Sequence, residues 1–379
     1  MENETQLTSK LLSLLLLLYI GVIAVLNLLA SDRSFSESEN RMLNQLPHFS
    51  LKALLSGGFT ADFEKYVSDQ FVFRDFWIGA KTDTDQLMGK KKSNGIYLGT
   101  NGYLIQDFIP PAEENLKEKL DAIHAFDRAT PEMKKNVMLV PTAAALYKDK
   151  LPKYAIIGDQ VAYMKKVQQL LHPNIRYIDV FPSLYTERDQ PIFYKTDHHW
   201  TTLGAYAAYL ELCRQMGLTP QNEEEFTIQQ VTDEFYGSLY SKSGFRHIQP
   251  DRLELYLPKD QEKYTVTYFD EEKTTDSLYT TEQLQRKDKY AVFLNGNHAL
   301  IQIKTANPSG KNLLVVKDSY ANSFIPFLLK HFSEIDVVDL RYYEEDLASF
   351  VEEQGIQDML LLYNANTFFE DPSIQNLTE

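Results

Sequence analysis

The sequence contains a single cysteine, Cys213. Without a second thiol there is no intrachain disulfide and no cysteine-built metal cluster, so the core alone must hold the fold together. Basic residues are in the minority: 38 Lys and Arg stand against 53 Asp and Glu, a net charge of −15. A surface of that sign repels phosphate backbones, which argues against a nucleic-acid partner. It also stands off an anionic bilayer, so membrane attachment has to be apolar. There is no repeat of fixed period, no low-complexity tract and no phosphate-cradling glycine loop, which argues against a nuclease or a nucleotide-binding protein. The remainder is ordinary for a globular protein, with 44% hydrophobic and 24% charged residues over 379 positions, enough for one large domain or two small ones. Twenty-three Tyr and 22 Phe would suit a sugar-binding surface, but core packing accounts for most of them.

Residues 11–30 carry no charge and are dominated by Leu, Ile and Val. At helical rise this stretch spans about 30 Å, the thickness of a bilayer core. A cleaved signal has a shorter apolar run and small residues at the cut. Ala30 is small, but Leu28 two positions earlier is not. We therefore read 11–30 as a single-pass transmembrane anchor rather than a signal, with 1–10 cytoplasmic. Charge does not set the orientation: Lys10 precedes the run beside Glu2 and Glu4, while Arg33 and Arg41 follow it. A buried soluble helix is the alternative, and only Ser13 and Asn27 interrupt the apolar run.

Residues 31–95 read as a polar linker (31–50) followed by a helical region, where Phe63, Tyr66, Val67 and Phe71 recur at helical spacing. A second body, 96–379, alternates strand and helix. Asn94-Gly95 and Asn101-Gly102 bracket a short strand at 96–98. Leu116, Leu120, Ile123 and Phe126 form one helical face, and Asp159 is a candidate N-cap for a helix carrying Val161, Met164, Val167 and Leu171. Strands are expected at 136–140, 177–180, 290–294, 313–316, 336–340 and 359–363. Helices are expected at 201–216, at 320–331 with a bend at Pro326, and at 344–353, ended by Gly355. Residues 219–290 are polar and rich in Thr and Tyr, and read as a β-rich insertion. Short apolar strands joined by helices predict an α/β fold whose parallel sheet is covered on both faces.

Ligands of such sheets sit beyond the carboxyl ends of the strands, and three segments there carry chemistry. In Lys317-Asp318-Ser319-Tyr320, Ser319 falls where a strand gives way to a helix, so it is either an exposed nucleophile beside helix-start N–H groups or part of a helix cap. In Asp197-His198-His199-Trp200, an acid and an imidazole two residues apart can orient and take a serine proton. The alternatives there are a capped helix with an aromatic lid, and a metal site; consecutive side chains rarely converge on one ion, and we expect neither metal nor cofactor. In Asn295-Gly296-Asn297-His298, Gly296 and Asn297 are candidate oxyanion donors or simply a turn.

Asp197-His198-His199-Trp200 resembles the signature of the DHHW proteins, bacterial relatives of the alginate O-acetyltransferases within the SGNH-hydrolase-like group. Glu39-Asn40-Arg41, the segment from Ser68 to Asp75, Tyr236-Gly237-Ser238-Leu239-Tyr240 and Lys317-Asp318-Ser319-Tyr320 extend the resemblance along the chain. It implies a three-layer, circularly permuted SGNH-hydrolase-like fold and a catalytic set in which Asp197 orients, His199 is the base and Ser319 is the nucleophile. His198, Trp200 and Tyr320 become oxyanion or substrate candidates. Lys317 stands where typical SGNH enzymes have glycine. The few residues after Asn366 lead us to expect no C-terminal sugar-binding module. The implied activity is acetyl transfer through an acyl-serine to a polysaccharide outside the cytoplasm, with a membrane-bound O-acyltransferase as donor. An esterase using the same residues, or a non-catalytic glycan-binding scaffold, are the other readings.

Overall fold

The computed structural model describes residues 2–36, 41–260 and 263–378. Glu39 and Asn40 of the resembling segments lie outside these. The chain forms two compact units, residues 1–90 with 244–246, and 91–243 with 247–379.

The first unit contains a helix, Glu2–Leu29, whose stretch Gln6–Leu29 is long and apolar enough to cross a membrane, with mean hydropathy 2.6. Its polar side chains return to their own backbone: Ser13 Oγ donates to Ser9 O at 2.9 Å and Asn27 Nδ2 to Ile23 O at 2.8 Å. That pairing suits a helix with no water around it. The expected linker contains a small antiparallel ribbon, Phe35–Ser36 against Arg41–Met42. Helices Gly58–Gln70 and Arg74–Leu87 follow, in the expected region. Asp69 is buried and accepts from Arg41 Nη2 at 2.5 Å, Arg41 Nη1 at 2.9 Å and Asn44 Nδ2 at 2.7 Å. These bonds, the Arg41 guanidinium foremost, hold its carboxyl well below the usual range. Within this unit, the pair joins the segment that ends at Arg41 to the segment from Ser68 to Asp75.

The second unit is built on an eight-stranded sheet. In chain order its strands are β1 (Lys134–Val140), β2 (Arg176–Tyr177), β3 (Tyr264–Tyr268), β4 (Lys273–Thr275), β5 (Leu300–Thr305), β6 (Asn312–Lys317), β7 (Glu334–Val338) and β8 (Asp358–Asn364). They lie in the order β4-β3-β5-β7-β6-β8-β1-β2. Strands β7, β6, β8, β1 and β2 are parallel; β5, β3 and β4 continue the sheet antiparallel. Side chains of the central strands alternate between two cores. Leu313, Val315, Leu360, Leu362, Met138 and Val140 enter one, while Leu314, Val316, Met359, Leu361, Val137 and Leu139 enter the other. Period-two alternation with both faces apolar is what makes these strands read as continuous hydrophobic runs. Helix Thr202–Met216 packs into the first core through Ala205, Tyr206, Tyr209 and Leu212. Helices Glu113–Ala129, Gln160–Leu170 and Leu347–Gln354 pack into the second.

Several expectations are corrected. Residues 320–331 do not form an α-helix; two 3₁₀ segments, Ser319–Ser323 and Ile325–Leu328, replace it. Pro326 cannot donate to a preceding turn, and Phe324, Ile325, Phe327 and Leu328 are all fully buried, leaving no solvent face for an amphipathic helix. Residues 290–294 are not a strand either. Lys289–Val292 is a 3₁₀ turn, and Leu294, Asn295 and Gly296 follow with φ of 56°, 56° and 97°, which no strand accommodates. The strand expected at 177–180 is reduced to Arg176–Tyr177. The sheet is mixed rather than wholly parallel: β5 runs antiparallel to β7, and residues 219–290 add β3 and β4 beyond it as well as a separate antiparallel pair, Phe226–Phe235 with Asp251–Pro258.

Candidate active site

The loop carrying Asp197, His198 and His199 is closed at its base by pairing of Phe193 with Trp200 and by Thr201 N–H donating to Ile192 O at 2.9 Å. Asp251 fastens it from below, accepting from Lys195 N at 2.8 Å, Thr196 N at 2.8 Å and Thr196 Oγ1 at 2.6 Å. Thr201 then caps helix Thr202–Met216 through Gly204 N. A short closed loop of this kind holds its side chains rigidly at the edge of the sheet.

Ser319 lies beyond the carboxyl end of β6. The choice between cap and nucleophile is divided between two residues. Asp318 is the cap: its Oδ1 accepts from Tyr320 N at 2.9 Å, while Oδ2 accepts from Asn364 N at 2.9 Å and Asn364 Nδ2 at 2.6 Å. Burial pushes the Asp318 carboxyl up. Ser319 is left half-buried with its Oγ 2.8 Å from His199 Nε2. His199 Nδ1 is 2.5 Å from Asp197 Oδ1, which also accepts His199 N–H at 3.0 Å. Asp197 Oδ2 accepts from Ser238 N at 2.7 Å. Burial alone would raise the Asp197 carboxyl; the imidazoles of His199 and His198 and these N–H donors outweigh it and hold it well below the usual range. The three residues therefore form a continuous hydrogen-bonded line, in the geometry that moves a proton from a hydroxyl to an imidazole held by a carboxylate.

The other candidates divide. His198 leans on His199 with ring centroids 3.8 Å apart and meets Ser238 Oγ through Nδ1 at 2.6 Å. Although 32% of its side chain is exposed, burial of the rest and the neighbouring His199 push its pKa down to about 3, so the ring is neutral at pH 7. Trp200 is not a lid. It is fully buried, and its indole N–H is 3.0 Å from Tyr320 O and 3.1 Å from Ser323 Oγ, tying the two catalytic segments together from inside. Tyr320 is also fully buried, its hydroxyl bonded to His198 O, and it forms part of the wall of the small cavity beside Asp197 and His198. Gly296 uses its N–H to close the turn onto Phe293 O at 3.1 Å and is not an oxyanion donor. Asn297 is exposed, with its Oδ1 2.7 Å from Lys317 Nζ and 3.2 Å from Asn322 Nδ2. Asp197, His198 and His199 offer ligand atoms within 4.8 Å of one another. Asp197 Oδ1, His199 Nδ1 and His198 Nδ1 carry the hydrogen bonds described above.

Sequence reasoning gave no role to three supports, although Gly237 lies in a segment that carries the resemblance. Gly237 packs so closely on Asp197 that a Cβ there would sit 2.2 Å from Asp197 Cβ. Asp251 holds the loop, and no motif marks it. Tyr290 stacks on His199 with centroids 3.7 Å apart and planes 9° apart, and its hydroxyl is 3.0 Å from Ser323 Oγ and 3.2 Å from Ser319 O. Burial pushes that phenol up, so it stays a neutral donor. All three come from the segment 219–290, whose composition alone assigns it no role. Tyr290→Phe keeps the stack and should keep turnover within about tenfold, the worth of one neutral hydrogen bond. Tyr290→Ala frees the imidazole and should cost about a hundredfold in kcat, in keeping with the penalty for misplacing a catalytic group.

Comparison with known proteins bears on this arrangement. A DHHW family protein from Eubacterium siraeum is 24% identical, over 75% of this chain and 96% of that one, with TM-score 0.67. PatB1 from Bacillus cereus, in a structure with a sulfonyl adduct, is 18% identical over 75% of this chain and 100% of that one, with TM-score 0.63. The O-acetyltransferase domain of Pseudomonas putida AlgJ aligns at 16% identity over 73% of this chain and 93% of that domain, with TM-score 0.46. The first two show a shared fold. No curated protein matches the sequence significantly. The model of the family described as DHHW protein matches residues 131–338, which include Asp197, His198, His199, Trp200 and Ser319. With more than half of its length matched, the chain belongs to the DHHW family.

Proposed function

We propose that this protein transfers acetyl groups to hydroxyls of a cell-surface or secreted polysaccharide through an acyl-serine. The observation that carries the reading is the line Ser319 Oγ to His199 Nε2, 2.8 Å, continued from His199 Nδ1 to Asp197 Oδ1, 2.5 Å. In the first half-reaction Nε2 takes the Oγ proton as Oγ attacks the acyl carbon, and the tetrahedral intermediate expels the donor's leaving group, which His199 protonates. In the second, His199 takes a proton from an acceptor hydroxyl, that oxygen attacks the acyl-serine, and Ser319 leaves with the proton returned. The resemblance to alginate O-acetylation enzymes supports acetyl as the group and a membrane-bound O-acyltransferase as donor. It also supports reading the unit as a circularly permuted, three-layer SGNH-hydrolase-like fold. The cavity beside Asp197 and His198 is only about 20 Å³, lined in part by Gln106, Thr142, Asn364 and Asn366. A sugar chain must therefore lie across the surface, as a polymer can. The helix ending at Leu29 would anchor the protein in the membrane, with the catalytic unit outside the cytoplasm.

The same openness favours a second reading, an esterase, because water reaches a half-buried Ser319 as readily as a sugar does. The full chain in detergent, given p-nitrophenyl acetate and an acetyl-free oligosaccharide, separates the two. Acetylated oligosaccharide is the expected product. Acetate release with no acetylated sugar across a range of acceptors would leave the esterase.

A further inference from the structure

We propose that the turn between helices Gly58–Gln70 and Arg74–Leu87 is seated in the outer boundary of the bilayer, with Phe73 and Phe76 against lipid acyl chains, as a second membrane contact beside the N-terminal helix. The inference rests on the reading of that helix as a retained anchor. One hydrogen bond sets the depth: Val72 N–H donates to Asn27 Oδ1 at 2.9 Å. Asn27 falls two residues short of the end of the apolar stretch Gln6–Leu29. At helical rise, Val72 therefore meets the anchor about 3 Å inside the limit of the span. Among residues 6–29, only Ile23, Leu26 and Asn27 are not exposed. Their spacing makes them one helical face, so the helix is covered there and nowhere else along that stretch.

Neighbouring bonds set the direction. Gln70 Oε1 accepts from Arg33 N at 2.8 Å, Gln70 Nε2 donates to Arg33 O at 2.9 Å, and the Tyr66 hydroxyl donates to Asp32 Oδ1 at 3.0 Å. Residues 32 and 33 come after the span, so helix Gly58–Gln70 leads away from the bilayer and the turn is its nearest part. What the turn presents is apolar. Phe73 is 61% exposed and Phe76 58%. A groove of about 620 Å³ between the two helices, lined in part by Phe63, Val67, Phe71 and Trp77, extends that surface. Phe73 has φ of 58°, a left-handed conformation that a bulky side chain adopts at a cost. In water that strain only exposes an aromatic ring; against acyl chains it buries one. The charged groups of the turn are paired, as a low dielectric demands: Arg74 Nη2 lies 3.6 Å from Asp69 Oδ1, and Asp75 Oδ2 lies 3.5 Å from Arg33 Nη1. Continuity with the span names lipid as the occupant. The chain thus leaves the membrane after Leu29 and returns to it at 71–76, so residues 31–50 are not a free stalk.

The sequence holds two tryptophans, Trp77, whose indole N–H is 3.1 Å from Val72 O, and the buried Trp200. The full chain is placed in phosphatidylcholine vesicles with bromine at shallow or deep acyl positions or with none, and W77F serves as the blank. Trp77 emission, wild type less W77F, is expected to fall roughly twofold or more with shallow bromine and less with deep bromine, as suits a ring in the boundary region. F73W in the W77F background reads the tip itself and should also be quenched, while Trp200 should not respond. Thermal melts in detergent certify folding, and the wild-type measurement needs no substitution near the turn. Emission from both positions quenched by aqueous iodide and untouched by bromine would overturn the proposal, because the turn would stand in water. Shielding from both quenchers would overturn it too, because a second copy of the chain would then cover the face. Flotation after a carbonate wash separates this from the anchor. Chain that stays with the vesicles without bromine quenching defeats the inference alone; chain that washes off defeats the anchor reading and the inference with it.

Discussion

Asp197→Asn should lower kcat by about 10³–10⁴-fold, the scale seen when a triad carboxylate becomes an amide, while leaving the fold intact. The hydrogen-bond partners of Asp197 are N–H donors: His199 N and Nδ1 on Oδ1, and Ser238 N on Oδ2. An asparagine must turn its NH₂ toward one side. If the amide oxygen stays with Ser238, the NH₂ meets His199 Nδ1, which must then accept, and the ring proton moves to Nε2. A protonated Nε2 cannot take the Ser319 hydroxyl hydrogen. Turnover of p-nitrophenyl acetate together with a thermal melt checks this, and a folded variant within tenfold of wild type would remove Asp197 from the mechanism. The pH dependence has a definite sign. Because the folded carboxyl sits below its unfolded value of about 3.9, its contribution to stability is complete above that value and is lost only as pH falls through the lower folded one. Activity lost on acidification between about pH 5 and 8 therefore comes from another group.

Gly237→Ala should be nearly as damaging without touching a reacting atom. The added Cβ would lie 2.2 Å from Asp197 Cβ, 2.3 Å from Oδ2 and 2.6 Å from Cγ. Gly237 is not among the glycines with positive φ, so the obstacle is space rather than backbone conformation. Asp197 cannot yield, because its side chain is tied on both sides, and Gly237 is held through its own N–H to Thr196 Oγ1 at 3.1 Å. The carboxylate and the imidazole behind it must shift, and a displacement of about 1 Å costs about a hundredfold in rate. Overpacking of this kind also costs about 1–3 kcal/mol of stability. Kinetics and melting of the purified variant decide it; wild-type kcat in Gly237→Ala would mean that the close approach does not hold Asp197.

What the sequence revealed, and what it hid, follows from range. Asp197 and His199 lie two residues apart on one loop, and Ser319 sits at a strand-to-helix junction, so local pattern exposes all three. Helix starts were equally legible: Asp159 caps where expected, and the helix expected over 201–216 runs from Thr202 to Met216. Gly237, Asp251 and Tyr290 act on the site from 29 or more residues away along the chain, through backbone proximity, a buried carboxylate and a ring stack that leave no periodic signature. The failures near the site have a common origin. Residues 320–331 carry enough apolar side chains for a helix, but burial on every side removes the amphipathic constraint, and Pro326 tips the balance to 3₁₀ turns. Residues 290–294 look like a strand because they are apolar, yet left-handed Leu294 and Asn295 turn them into the support for Tyr290. Trp200, next to three catalytic candidates, was read as facing a ligand when it faces the core; adjacency in sequence does not decide which side of a loop a ring occupies.

The most direct test of the central claim is peptide mass mapping after a brief exposure to p-nitrophenyl acetate and an acid quench that preserves serine esters. One acetyl group on the peptide containing Ser319, absent from Ser319→Ala and accumulating when the second half-reaction is slowed by withholding acceptor, is the expected result. Ester turnover by the wild-type protein with Ser319 unmodified, and undiminished in Ser319→Ala, would contradict it.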